Sequence, residues 1–548
     1  YWRAKGNINA GNTSTRLNKV EWTSSGEGSM RWEGYNINVA NGNNDFKFTQ
    51  NGSAGTTYWG AENSINVDLG SVKDVLFTNS STAPNGTGTM MWITNGGDII
   101  TKSSNGKKVV FEQTNATAGT SAWKAGYRQD GPPHNTIHRG SIRTNNVIEF
   151  KNAANNPYDM IWQACNSILT NHNATTGDSN DHNMVTFENN GKGNMIWHAA
   201  DSIVTRSKTN FHNTNTAEGN MTWYAGNHIK TRLGTYDNTH DLQKGIIFKQ
   251  EGKGRTTWWA ETGNIETYNP VHFDWTTTTD HATSILWWAG QHIEIGNNYN
   301  PNNPLISRAK FETNVNDTIT LKTRKGHILT NSQVDFYRTN NGKALTQLWA
   351  GCREYTLENN IDIENVFNYT ETNGQNSSEA YTHLYAENDI RSNWVCDNDR
   401  PAPITFDVSA AGANTQTRTL WEAERNINTR GRVDFIYTGA TNAGPITWLS
   451  RGGYIQTERP VTIKYESPKT IRFLAEDWRF DPTNAPDYNF TTGRRGNIHF
   501  YDSVDINRNN TAGGLTEIKA ENHIWTAMLN YVDQQSTGDT MNIISHSG

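Results

Sequence analysis

Large apolar residues alternate with polar ones along most of the chain, and the alternation itself recurs. In the stretch Met195-Ile196-Trp197-His198-Ala199, the residues Met195, Trp197 and Ala199 share one parity. Met160, Trp162 and Ala164 repeat it, as do Met221, Trp223 and Ala225. A period of two belongs to a β-strand, whose successive side chains point to opposite faces. After Trp-x-Ala comes a turn and then Ile-x-Thr, as in Ile229-Lys230-Thr231 and Ile427-Asn428-Thr429. A third strand follows with Val-x-Phe, as in Val185-Thr186-Phe187 and Val433-Asp434-Phe435. Residues between the apolar positions, such as Glu149, Lys310, Asp335 and Asp434, vary in sign and are expected to face water. Asn, Gly and Thr fill the turns, where unusual dihedrals are tolerated.

A unit of three short strands that returns this often specifies a repeat architecture. One coil alone cannot cover its Trp, Ile and Phe, whereas stacked coils bury them. The pattern therefore predicts an all-β chain, a parallel β-helix (β-solenoid) of about 17 three-strand coils with an inward Trp/Ile/Phe ladder. Anchors of the first strand run from Trp2 to Ile518, with Trp259, Trp288, Trp349 and Tyr385 read as anchors of their coils. Residues 1–548 read as one continuous solenoid, regular to residue 470 and less regular over 471–548. Coils spaced about 4.8 Å apart would give a rod on the order of 80 Å long. Insertions gather after Ile-x-Thr (171–183, 232–244 and 296–308), after Trp-x-Ala (127–141 and 353–360) and around 477–496.

Composition narrows the function. The apolar fraction is 34%, yet Trp, Tyr and Phe alone make up 11%, so the core material is large and flat. A net charge of −6 with both signs interspersed argues against a nucleic-acid partner, which needs a clustered basic surface. No run of apolar residues is long enough to span a membrane. The chain opens on Tyr1-Trp2, with no signal peptide and with Trp2-Arg3-Ala4 already in the repeat pattern, which suggests a section of something longer. Cys165, Cys352 and Cys396 lack metal-like spacing and read as small buried fillers.

Candidate chemistry is sparse. Glu62, Glu261, Glu387, Glu424 and Glu521 each follow the Ala of the first strand, so they belong to the repeat and read as turn residues. Glu476-Asp477, near Arg494-Arg495, is the best local departure. His228, His292, His327 and His523 each precede the inward Ile and should face outward at one turn; His134 and His138 flank a Pro-containing loop. Asp178-Ser179-Asn180-Asp181 resembles a calcium loop only faintly, without its glycine and distant glutamate. No catalytic residue, metal ligand or cofactor is assigned. With Trp259 and Trp288 inward, parity turns Tyr224, Trp258 and Trp287 outward as a candidate binding platform of flat rings in consecutive coils. Sequons at Asn79, Asn85, Asn115 and Asn368 hint at export.

The motifs Gly140-Ser141-Ile142, Gly263-Asn264-Ile265 and Gly326-His327-Ile328, each leading into a second strand, resemble large bacterial surface adhesins of the filamentous-haemagglutinin-like β-helix kind. The likeness extends to the giant repetitive surface proteins of gliding bacteria. It covers most of the chain as a style of repeat. The resemblance implies secretion, an extracellular or cell-surface location, and a structural or adhesive section of a long fibre without enzymatic activity. Its partners would be neighbouring coils or copies of the same fibre end to end, and surface glycans. The alternative is a phage tail-spike-like β-helix that binds or degrades polysaccharide.

Overall fold

The computed structural model describes the chain apart from residues 11–18, 26–27, 41–44, 53–54, 69–73, 81–87, 104–106, 116–118, 128–139, 146, 172–183, 207–208, 215–216, 233–244, 269–270, 276–282, 297–307, 315–316, 340–343, 352–358, 374–379, 393–401, 411–416, 439–442, 477–495, 511, 535–537 and 547–548. The fold is a parallel β-helix. The described residues contain strands and turns and no helix. Strands fall into three columns, and each pairs in parallel with the equivalent strand one coil away. Two compact units, Tyr1–His281 and Ala282–Gly548, are distinguished.

In the first unit, nine first-column strands run from Trp2–Arg3 to Arg255–Ala260 among the described residues. Register is exact to the residue. Trp162, Trp197, Trp223 and Trp258 are successive partners, as are Ile168, Ile203, Ile229 and Ile265, and Phe187, Phe211, Phe248 and Phe273. Because strands in a ladder lie about 4.8 Å apart, identical side chains are carried into stacking range. Trp92, Trp123, Trp162 and Trp197 stack at 4.8–5.0 Å with planes within 6°. The Phe stack runs beside them, Phe150 to Phe187 and Phe187 to Phe211 both at 4.9 Å. The two stacks meet edge to face, as at Phe150–Trp162 (5.1 Å, 86°), an arrangement the ring quadrupoles favour.

The third corner of this unit holds a feature that the strand pattern did not reveal. Two residues after seven of the stacked Phe stand Gln50, Asn79, Gln113, Asn152, Asn189, Asn213 and Gln250, all buried, while after Phe273 stands the buried Trp275. Two neighbouring pairs of these amides bond to each other, Asn152 Nδ2 to Asn189 Oδ1 at 3.0 Å and Asn213 Nδ2 to Gln250 Oε1 at 2.8 Å. They also close the adjoining turns through the carbonyls of Gly193 and Gly219. Backbone groups at a tight buried turn need such partners.

The second unit keeps the columns and changes the filling. Register places Trp287, Leu321, Leu348, Leu384, Trp421, Trp448, Phe473, Ile518 and Ile543 in succession. That is nine first-column strands, the last being Thr540–Ser545, beyond the final anchor expected at Ile518. Five of them, including Ala344–Ala350 and Ala380–Ala386, run seven residues, against five in most of the first unit. Near the end of this unit, Asn497–Arg508 pairs with both Tyr454–Thr457 and Val461–Tyr465, so the second and third columns are joined in one strand.

Most of the expected inward set is buried, but Trp2 is 60% exposed, Asp335 and Asp434, expected to face water, are only 6% and 8% exposed, and four anchors shift by one residue. Trp258 and Trp287 are 0% exposed, and the inward anchors are Trp258, Trp287, Leu348 and Leu384, not Trp259, Trp288, Trp349 and Tyr385. Where two bulky residues adjoin, the Ala two positions later decides parity, since a small residue must sit where the next turn passes close to the core. Cys165 is also exposed, with its Sγ 3.1 Å from the Gly126 carbonyl, and is no buried filler. Cys352 and Cys396 lie outside the described residues.

Candidate functional site

Outward residues next to the inward anchors form columns of their own. In the first unit the column reads Gln163, His198, Tyr224 and Trp259 in register. Tyr224 thus stands outward as expected, whereas Trp258 and Trp287 do not, and Trp259 takes the place expected of Trp258. The His198 and Tyr224 rings meet edge to face at 4.9 Å. The Tyr224 hydroxyl donates to Glu261 Oε2, and this bond to a carboxylate holds the phenol proton, raising its pKa. Burial pushes the half-buried His198 below the ordinary imidazole value, so its neutral form is favoured.

The second unit has its own outward cluster on the lengthened strands. Trp349 and Tyr385 lie 5.0 Å apart, and His383 sits 5.7 Å from Trp349. The Lys322 ammonium rides over the Trp349 ring at 5.1 Å. His383 Nε2 is 3.1 Å from Glu422 Oε2, and Arg451 Nε donates to Glu422 Oε1 at 2.8 Å. Those two partners, the histidine first, hold the Glu422 carboxyl below its usual range. Only about a tenth of the His383 and Glu422 side chains is exposed (11% and 12%), so this cluster is largely closed and internally satisfied.

The glutamates after the first-strand Ala share one turn position with Asn95, Ala200, Gly226 and Arg451 of other coils, and all bond there through the backbone. The backbone N–H groups of Glu62, Glu261, Glu387, Glu424 and Glu521 donate to Gly34, Ala225, Ala350, Ala386 and Ala475, all one coil back. The backbone N–H of Glu476 does the same to Ser450, so its main chain follows the repeat. Asp477, Arg494 and Arg495 lie outside the described residues, as do Asp178–Asp181, His134, His138 and Asn85.

The histidines before the inward Ile also have a structural task. Nδ1 of His228, His292 and His327 accepts the backbone N–H of Asn264, His327 and Asn360 in the following coil. In other coils Asn36, Asp98, Asn360, Asp389 and Asn426 accept at that place. His292 and His327 additionally stack at 5.2 Å. The Asn79 side chain is buried with its amide donating to the Gly88 carbonyl, so that sequon presents no surface acceptor. No group of three or more His, Cys, Asp or Glu suited to a metal occurs among the described residues. No helix among them is long and apolar enough to cross a membrane.

The arrangement offers part-exposed rings and an exposed carboxylate in the outward column of the first unit, and a largely closed aromatic–ionic cluster in the second. No family model, curated protein or solved structure matches the chain, and the fold and the site rest on its own geometry.

Proposed function

We propose that the chain is a structural and adhesive section of an extracellular bacterial surface fibre, acting without catalysis. The observation that carries this reading is the uniformity of the coils, down to the turn after the first strand. Six glutamates at equivalent places make the same backbone bond to the coil before them. An active site is a local departure from a repeat, and the main chain at the strongest sequence candidate, Glu476, follows the repeat. Continuous ladders and ring stacks supply stiffness along the stacking direction, the property a fibre needs. Neighbouring coils, or further copies meeting end to end, would extend the same ladders.

The test is negative-stain electron microscopy of native material. Joined rods longer than the roughly 80 Å that this number of coils predicts are expected. Discrete short particles, above all three-fold ones, would replace this reading with a tail-spike-like assembly acting on polysaccharide.

A further inference from the structure

We propose that His198, Tyr224, Trp259 and Glu261 form a track for a neutral polysaccharide on the outer face of the first unit. The proposal deepens the surface-fibre reading, from which it takes only the exposure to glycans. Three flat side chains stand in one outward column over three consecutive coils, with Tyr224 and Trp259 as register partners. Outward rings repeated at the spacing of the strand ladder offer apolar surface to the C–H faces of successive pyranose rings.

The edge of the track is polar. Glu261 Oε2 is engaged by the Tyr224 hydroxyl, which fixes the carboxylate beside the rings. Glu261 is exposed, and its Oε1 can accept a sugar hydroxyl. The floor between them is kept flat by Gly226, where an added Cβ would lie 2.1 Å from the Ala200 carbonyl oxygen. Ala200, Gly226 and Glu261 occupy the same turn position in successive coils, so the carboxylate reaches back over small residues. His198, held edge-on to Tyr224, offers both a donor and an acceptor in its neutral form.

Charge selects the ligand class. Glu261 and the nearby turn residue Asp201, which Asn227 bonds at 3.4 Å, oppose uronate or sulfated chains. The contrast with the second unit is instructive. There Tyr385 also donates to the turn glutamate one coil on, Glu424, at 3.3 Å. Arg451 Nε stands 3.6 Å from that carboxylate, and Tyr385 is 6% exposed, so the same pairing is closed off.

Native gel electrophoresis through gels containing soluble polysaccharide tests the proposal with the full chain. The probes are a neutral β-glucan, polygalacturonate and chitosan. The β-glucan is expected to retard the wild type, and Tyr224→Ala combined with Trp259→Ala to weaken retardation at least tenfold. Thr257→Ala, on the neighbouring outward position, should leave it unchanged. Glu261→Gln, which leaves every ring in place, should weaken it by roughly threefold and keeps the test decisive if the double variant unfolds. Retardation by polygalacturonate or chitosan alone, no retardation by any probe, or equal retardation of wild type, Glu261→Gln and the double variant would overturn the track. Fibres seen by microscopy in the double variant leave the fibre reading intact, and their absence from the wild type counts against that reading alone.

Discussion

The first unit fills its core with one solution repeated, and the second with several fitted individually. From Trp92 to Trp197 the same ring returns in parallel planes, and each coil templates the next. In the second unit Leu321, Leu348 and Leu384 replace tryptophan, and bulk arrives from the third column instead. Tyr369, Tyr437 and Tyr465 are buried there, together with the fully buried Arg338 and Arg508. Burial, opposed only partly by nearby bonds and charges, drives all three phenols to strongly raised pKa values, which keeps them neutral hydrogen-bond donors. Arg508 lies 3.1 Å from Asp539, with 0% and 1% of the two side chains exposed. A repeated ring tolerates a slip by one coil, since every partner looks alike. A buried ion pair or phenol does not, because its partner exists at one place only.

The sharpest way to break that contrast is at Asp539. Arg508 also donates to the carbonyls of Leu515, Ser467 and Lys469, but those neutral acceptors do not balance its charge. Asp539→Ala leaves a buried guanidinium uncompensated and should cost about 3–5 kcal/mol. In a solenoid the loss stays local. Hydrogen exchange should therefore accelerate in the strands Asn497–Arg508 and Leu515–Ala520 and remain unchanged in the first unit. Equal acceleration in both units would show that the filling of the last coils is not individually matched.

A subtler test inserts the first unit's solution into the second. Leu348 lies between Leu321 and Leu384 in register, and the third column of its coil carries the buried Phe367 and Tyr369. If that coil is already full, Leu348→Trp overpacks it by about 1–3 kcal/mol. Thermal unfolding should fall accordingly. A rise in the midpoint would mean that the leucine coils are simply underfilled tryptophan coils.

The architecture was legible because a period of two, sustained over many coils, leaves few alternatives. The columns of Trp197, Ile203 and Phe211 needed no more than parity. The binding column was half legible. Tyr224 has a polar-column neighbour, His198, whereas Trp258-Trp259 and Trp287-Trp288 present two aromatics of opposite parity. Hydrophobicity cannot choose between them, and only the Ala at 260 or 289 does. The amide ladder from Gln50 to Gln250 was in view as Phe-x-Asn/Gln. It passed unread because Asn and Gln ordinarily signal surface, and only a turn with unpaired buried carbonyls makes them core residues. Arg338 and Arg508 carry no such signal, because an arginine ordinarily marks surface, and the groups that hold them, seven or eight residues on and one coil away, become neighbours only once the coils stack.

The smallest effect concerns the turn that both units share. His228 Nδ1 accepts the Asn264 N–H at 3.0 Å, so this ring must keep a lone pair there. Burial, and then the Lys230 ammonium, hold its pKa below the ordinary value, while Glu266 and Asp201 pull the other way without reversing the shift. A depressed folded pKa means that the unfolded chain takes up the proton first as pH falls. The stabilisation is therefore complete above about pH 6.5, the ordinary imidazole value, and is lost as pH drops through the folded pKa. Asn36, Asn360 and Asn426 show that an asparagine can accept the same bond without titrating. His228→Asn should therefore match the wild type near pH 7 and lose less stability than it at pH 5. Every other residue is the same in both proteins, so the difference between the two melting curves isolates His228. Parallel curves from pH 7 to pH 5 would show that the bond to Asn264 survives protonation by another route, and that the turn is held by the backbone ladder alone.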